Sequence, residues 1–294
     1  MSEPEICILQ PGDEAALEAF ALPRIETSMF LVGNLRLSGF VDHGLPYQGT
    51  YAAAWEEGQI AGLVAHFWNR VLIFQAPAHL HTLWRAAARA SRRPIGGLIG
   101  PNDQVSAAKA ALEIEEARIQ LDQVEKLYSL ALEDLIVPAP LRSGQVRGRR
   151  MEPGDLDVVT EWNIAYSIEA IQERDGPELR QRCRAVAERN LKEKSTWVLE
   201  REGTLVACSS FNTAIAEAVQ IGGVYTAPEM RRRGYARAVV ASSLLDARAE
   251  GVGKAILFTG EHNIAAQRAY ESLGFRHIGH YRLVLLSSPL EGVV

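Results

Sequence analysis

The stretch from Val219 to Ala236 constrains the fold most, because it joins a strand pattern to a helix pattern through a short basic loop. Gly222-Gly223 interrupt its apolar start, and a glycine pair in a strand indicates a bulge or a close backbone approach. Ala227-Pro228 should end the strand, since proline has no N–H for the ladder. A helix pattern follows over residues 238–249. This order predicts an α/β unit.

The loop Arg231–Ala236 has the composition of an anion site. The first N–H groups of the following helix lack intrahelical partners, and the helix dipole adds about half a positive charge there. Gly234 would let the backbone approach an anion, and Ala236 would avoid a clash. Taken alone, an arginine-rich turn before a helix is more often a solvated surface feature than an anion site.

A second motif follows at a fixed distance. Residues 251–260 have the pattern of a turn and a short buried strand. The next segment predicts a complete helix with Asn263 as N-cap and Gly274 at the C′ position. Ala266 and Tyr270 would lie on one face of this helix.

Arg231-x-x-Gly234-x-Ala236, followed by Asn263-x-x-Ala266-x-x-x-Tyr270-x-x-x-Gly274-Phe275, resembles the GNAT superfamily of N-acyltransferases. The resemblance implies an α/β fold (α+β, with a mixed sheet) and acetyl-coenzyme A (acetyl-CoA) as co-substrate, without a metal. Pyrophosphate would sit on backbone amides of the basic loop, and the pantetheine arm would lie along the strand end like an extra strand. The implied donor-binding residues are Val224, Tyr225, Thr226, Arg231, Arg232, Arg233, Gly234, Tyr235, Ala236, Arg237, Asn263 and Ala266.

The same resemblance implies a direct attack by an amine on the thioester. An amine with a pKa near 10 is about one part in a thousand free base at pH 7, so its proton must be removed. Tyr270 matches the position of the family's general-acid tyrosine and would protonate the leaving thiolate; packing in the core is the alternative. Glu217 is the predicted base, with Glu261, His262, His280 or water left open.

The first half of the chain repeats the pattern of the second. Gln10-Pro11-Gly12-Asp13 corresponds to Glu152-Pro153-Gly154-Asp155, and the turn Glu57-Gly58 corresponds to Glu202-Gly203. Later segments continue in the same order. We therefore predict two tandem GNAT-like domains, residues 1–137 and 143–294, joined by a stiff linker near Val137–Pro140.

The first copy lacks the donor loop, since no Arg-x-x-Gly-x-Ala follows Pro77. We interpret it as a degenerate domain that would shape the acceptor pocket. His79, His81 and Trp84 either line that pocket or occupy ordinary core and surface positions.

The net charge and the distribution of apolar residues argue against some classes of function. A net charge of −5 argues against nucleic-acid binding, which favours basic surfaces. No signal peptide or membrane span is predicted, so we expect a cytoplasmic protein, monomeric or homodimeric. The leading hypothesis is an N-acetyltransferase acting on a primary amine of a small molecule or protein. The alternative is a non-catalytic module that binds acyl-CoA as a sensor or scaffold.

Overall fold

The computed structural model describes residues 4–292, which form two compact units. Unit 1 contains residues 4–126 and 279–292, and unit 2 contains residues 127–278. Each unit has helices packed on a mixed sheet, which confirms the predicted fold class. Within the described range, no helix is both long and apolar enough to cross a membrane.

Unit 1 starts with a strand and two helices, continues with an antiparallel meander, and ends with two helix–strand pairs. Its elements are β1 (Glu5–Ile8), α1 (Glu14–Ala21), α2 (Ile25–Ser38), β2 (Gly49–Glu56), β3 (Gln59–Phe67), β4 (Val71–Gln75), α3 (Leu80–Ser91), β5 (Ile95–Pro101), α4 (Asn102–Ala111) and the first part of β6 (Ile119–Ala131).

Unit 2 continues from the end of β6. Its elements are α5 (Ala139–Arg142), β7 (Arg147–Arg150), α6 (Leu156–Ala170), α7 (Pro177–Glu193), β8 (Thr196–Arg201), β9 (Thr204–Ala214), β10 (Ala218–Tyr225), α8 (Tyr235–Ala249), β11 (Lys254–Gly260), α9 (Ile264–Glu271) and the start of β12 (Arg276–Leu290).

The element order confirms the internal repeat. From β1 to β6 the chain passes through the same succession of strands and helices as from β7 to β12. The connection after the fourth strand differs in length between the two copies. It covers residues 76–79 between β4 and α3, but residues 226–234 between β10 and α8. The second copy therefore carries its extra residues in the basic loop.

Strand pairing within each unit is mixed. In unit 1, β1 to β4 are antiparallel neighbours and β5 lies parallel to β4. In unit 2, β7 to β10 are antiparallel and β11 lies parallel to β10. Such a parallel pair requires a crossover, and α3 and α8 supply it. The crossover α8 is covered with small and apolar residues, so its face lies buried against the sheet of unit 2.

The compact units divide the chain differently from the predicted copies. The neighbour of β5 is β12, which comes from the end of the chain, and the neighbour of β11 is β6. Residues 279–292 therefore belong to unit 1, and residues after 126 belong to unit 2. A division at 137 and 143 describes the repeat in the sequence and remains a prediction for the domains.

One local prediction was wrong. The sequence predicts two separate last strands, Phe275–Ile278 and Tyr281–Leu286, but β12 runs unbroken from Arg276 to Leu290. The expected linker at 137–140 is partly helical, because Pro138 and Pro140 fit the start of the short helix α5.

An ion-pair cluster joins the start of α6 to the sheet of unit 2. Arg149 donates two hydrogen bonds to Asp155, with distances of 2.6 and 3.0 Å, and two to Glu200, with distances of 2.7 and 2.9 Å. Asp155 also accepts from the backbone N–H of Glu152 at 2.8 Å. Burial would raise the pKa of Asp155, but the hydrogen bonds from Arg149 and Glu152 outweigh it and lower that pKa.

We expect Asp155→Asn to reduce the free energy of unfolding by about 3 kcal/mol at neutral pH, because it leaves Arg149 with one carboxylate fewer. Since the pKa of Asp155 is lowered in the folded state, its contribution exists above the ordinary carboxyl pKa and disappears as the pH falls through the folded value. Urea unfolding at pH 7 and at pH 3 measures both. An equal loss at the two pH values would contradict the assignment.

Candidate active site

The end of β10 separates from β11 in unit 2. The two strands pair from Ala218 to Gln220 only, opposite Lys254 to Ile256, and no further pair forms between them within the described residues. On its other side, β10 shifts register against β9 between Gly222 and Tyr225. This is the bulge that the glycine pair predicted. The backbone groups that face β11 after Gln220 are thus not used in the β10–β11 ladder and can bind an extended ligand.

Gly222 and Gly223 are required for this geometry. A Cβ on Gly222 would lie 2.1 Å from Nδ2 of Asn212, so the Asn212 side chain occupies the space next to the bulge. Gly223 has φ +57°, in the left-handed region that glycine adopts most readily. The glycine pair predicted the bulge, but no local pattern in the sequence indicated the place of Asn212.

The basic loop ends directly at the first turn of α8. Gly234 is the N-cap, with φ +80°, and no side chain among the described residues caps this helix. The first-turn N–H groups of Tyr235, Ala236 and Arg237 are therefore not capped by a side chain, and the dipole of a fifteen-residue helix points its positive end at them. This end of α8 suits an anion.

The arginines around this turn differ in their contacts. Arg231 pairs with Glu169 at 2.6 Å, and Arg233 donates to the Glu229 carbonyl at 3.3 Å. Arg232 and Arg237 make no ion pair within residues 4–292. The Arg237 guanidinium lies over Gly234, since a Cβ there would be 3.0 Å from its Nε. Arg232 and Arg237 remain predicted donor-binding residues.

Three further residues that the resemblance implies for binding acetyl-CoA contact the rest of unit 2. The Tyr235 hydroxyl accepts a hydrogen bond of 2.8 Å from Arg201, and this bond lowers the pKa of Tyr235 against the opposing effect of burial. The Tyr225 side chain is buried, and its hydroxyl donates a hydrogen bond to Glu169. Val224 packs against the core.

Two buried polar groups in this region make no hydrogen bond inside the described part of the chain: the Thr226 hydroxyl and the Gln220 amide oxygen. A buried polar atom without a partner is costly, so such an atom indicates a site where a ligand or water binds. Gln220 lies on β10 at the point where that strand leaves β11. Its signal in the sequence was a single polar residue in an otherwise apolar strand.

The second motif forms the helix that it predicted. Asn263 caps α9 by accepting a hydrogen bond of 3.1 Å from the N–H of Ala266. Gly274 follows the helix with φ +101°. Tyr270 is 8% exposed, and its ring packs edge-on against Phe275 at 6.0 Å. The ring therefore belongs to the core of unit 2, and an acid role for its hydroxyl remains a prediction.

Candidate bases lie in different places. Glu217 is exposed in the turn before β10, and about 16 Å of strand separate it from Gly222. Glu261 and His262 are exposed after β11, next to α9. His280 is in the part of β12 that belongs to unit 1. Glu217 would need a chain of water molecules to reach the end of β10.

The candidate residues of the first copy have ordinary positions. Trp84 is buried in the core of unit 1, as one of the two interpretations expected. His79 is paired with Glu56 at 2.6 Å, and His81 is exposed at the start of α3.

The separated strands and the helix N-terminus thus place a surface for an extended ligand beside a surface for an anion. Residues 160–275 match the profile of the Acetyltransferase (GNAT) family, so this segment is a GNAT acetyltransferase domain. The resemblance inferred from the two motifs is confirmed.

Similar proteins support the same assignment. A mycothiol acetyltransferase from Thermobispora bispora is 34% identical over 152 residues, which cover 47% of this chain and 49% of that protein. The match thus spans about half the length of that curated relative. A GCN5-related N-acetyltransferase from Sphaerobacter thermophilus has a TM-score of 0.57 at 13% identity, with 96% and 94% of the two chains covered.

A tandem GNAT protein from the clavulanic acid biosynthesis pathway has a TM-score of 0.52 at 14% identity, and the match covers 98% of this chain and 100% of that one. At such low identities the likeness shows the fold alone. It confirms the prediction of a tandem GNAT fold.

Proposed function

We propose that this protein is an N-acetyltransferase that transfers an acetyl group from acetyl-CoA to a primary amine of a small molecule or protein. One observation carries the proposal: β10 leaves β11 after Gln220, next to the uncapped N-terminus of α8. An extended arm fits the first feature and a pyrophosphate fits the second. Both lie in the segment that matches the GNAT profile.

The chain itself would hold the donor in three ways. The backbone of Val224 to Thr226, which lies beyond the last β10–β11 pair, binds the extended arm as a neighbouring strand would. The first-turn amides of α8 bind phosphate oxygens, with the guanidinium groups of Arg232 and Arg237 beside them. Acetyl-CoA, when bound, supplies the acetyl group as a thioester.

Three groups of the chain would act on the reacting atoms. A backbone N–H of the bulge at Gly222–Tyr225 stabilises charge on the thioester oxygen. The Tyr270 hydroxyl gives a proton to the departing sulfur, whose thiol is a weak acid. A base takes the proton from the attacking amine, with Glu217 acting through water as the predicted candidate. The amine attacks directly while both substrates are bound.

Calorimetric titration of the full chain with acetyl-CoA tests this function. We expect one site per chain, because the basic loop of the second copy has no counterpart in residues 76–79 of the first copy. A screen of primary amines should then give amine-dependent release of free thiol. Two sites per chain would mean that the first copy also binds the donor. No binding would overturn the proposal, and binding without turnover on any amine would favour the non-catalytic module.

A further inference from the structure

Glu169 lies in the last turn of α6, where an acidic residue faces the negative end of the helix dipole. Its side chain is 44% exposed. A carboxylate in this position is disfavoured unless a cation offsets it. Arg231 is that cation, with Nη2 2.6 Å from Oε2 of Glu169.

The Glu169 carboxylate holds two parts of the donor-binding segment at once. Its other oxygen, Oε1, accepts a hydrogen bond of 3.1 Å from the Tyr225 hydroxyl at the end of β10. The Arg231 guanidinium lies 5.6 Å from the centre of the Tyr225 ring and donates from Nε to the Thr226 carbonyl at 3.0 Å. One carboxylate thus ties the end of the strand to the start of the basic loop.

The contact continues along one face of α6. Trp162, Tyr166 and Glu169 follow each other at the spacing of one helix face. Trp162 and Tyr166 pack in the same apolar cluster as Tyr225, and the Trp162 ring lies 6.4 Å from the Tyr225 ring. This face of α6 is therefore packed against the end of β10, and Glu169 connects it to Arg231 in the basic loop.

We propose that Glu169 is a positioning residue for donor binding, which rests on the function proposed above. It fixes the loop over residues 226–231 so that the first turn of α8 is ready for phosphate. In this arrangement Arg231 holds the loop in place by pairing with Glu169, and the phosphate is bound by the first-turn amides of α8 and by Arg232 and Arg237. This assignment gives Arg231 a different role from the phosphate contact that the motif alone implied.

The two roles of Arg231 predict opposite effects for Glu169→Gln. If Glu169 positions the loop, the variant should raise the Kd and KM for acetyl-CoA about three- to tenfold, with kcat within about twofold of wild type. If Glu169 merely occupies a phosphate-binding arginine, the variant should bind acetyl-CoA as tightly as wild type or more tightly.

Glu188→Gln is the matched control. It breaks the Arg184–Glu188 pair of 2.9 Å, whose side chains are 42% and 55% exposed, close to the values of 42% and 44% for Arg231 and Glu169. Glu188 is in α7 and contacts no donor-loop residue in the ion pairs of the described range. Its variant should bind acetyl-CoA like wild type.

Amide hydrogen exchange without any ligand gives a second readout. The amides of residues 226–233 should exchange faster in Glu169→Gln than in wild type or Glu188→Gln, because the loop has lost its attachment to α6. Failure of wild type to bind acetyl-CoA would overturn the proposed function but not this loop measurement. Unchanged exchange together with unchanged or tighter donor binding would overturn the positioning role.

Discussion

Gly234→Asp should lower the affinity for acetyl-CoA by at least about a hundredfold, since it acts on the phosphate site directly. The backbone at 234 has φ +80°, which costs a non-glycine residue about 1–2 kcal/mol. A side chain there would start 3.0 Å from Nε of Arg237. The new carboxylate would pair with that guanidinium and place a negative charge where the phosphate binds.

The control for this variant is Gly203→Asp. Gly203 is in the β8–β9 hairpin with φ +77°, and a Cβ added there would meet no atom within 4 Å, so the variant carries the same backbone cost without approaching the donor loop. Calorimetry should show full binding for Gly203→Asp and none for Gly234→Asp at the same concentration. Gly234→Ala should fall between them, because it adds strain but no charge. If both aspartate variants bind acetyl-CoA equally well, the phosphate does not bind at the N-terminus of α8.

Local patterns of the sequence predicted the hairpin of unit 2 to the residue. The runs on either side of Glu202-Gly203 predict strands over Thr196–Arg201 and Thr204–Ala214, and β8 and β9 have these limits. Glu202 and Gly203 form the tight turn between them, with φ of +52° and +77°. The bulge at Gly222-Gly223 and the cap at Asn263 were also predictable, since each depends on one residue type in a defined backbone position.

Contacts between distant parts of the chain were not predictable. The pairing of β12 with β5 joins residues near 283 and 99, and no local pattern distinguishes it from pairing within one copy. The same holds for Glu169 and Arg231, which are 62 positions apart. The motif named Arg231 as a donor contact, but its actual partner depends on where α6 ends relative to the loop.

Some residues of the predicted site lie together in the structure, and others lie far from it. Residues of the loop and of the first turn of α8 lie together at the separated strands, because their spacing is local and the helix fixes it. Glu217 was chosen from its place beside β10, yet a strand that rises about 3.3 Å per residue carries it away from the bulge. Gln220 lies closer to the bulge along β10, and its amide oxygen is buried without a partner in the described structure.

Tyr270→Phe should lower kcat between about tenfold and a hundredfold and leave the KM for acetyl-CoA nearly unchanged. The variant removes the hydroxyl that would protonate the leaving sulfur but removes no contact that binds acetyl-CoA. The ring of Phe keeps the packing against Phe275, so the fold should lose only about 1 kcal/mol. Steady-state kinetics with a saturating amine measures the first effect, and urea unfolding measures the second.

Two variants make this result interpretable. Tyr128→Phe removes another buried phenol, whose hydroxyl donates to Glu271 in the same helix α9 at 3.0 Å, and it should cost stability without lowering kcat. Glu217→Gln should lower kcat by less than about threefold, since a distant carboxylate can act only through water. If Tyr128→Phe and Tyr270→Phe lower kcat equally, the Tyr270 hydroxyl contributes to the packing and stability of the core and not to proton transfer. If Glu217→Gln has the larger effect, proton removal from the amine limits the reaction.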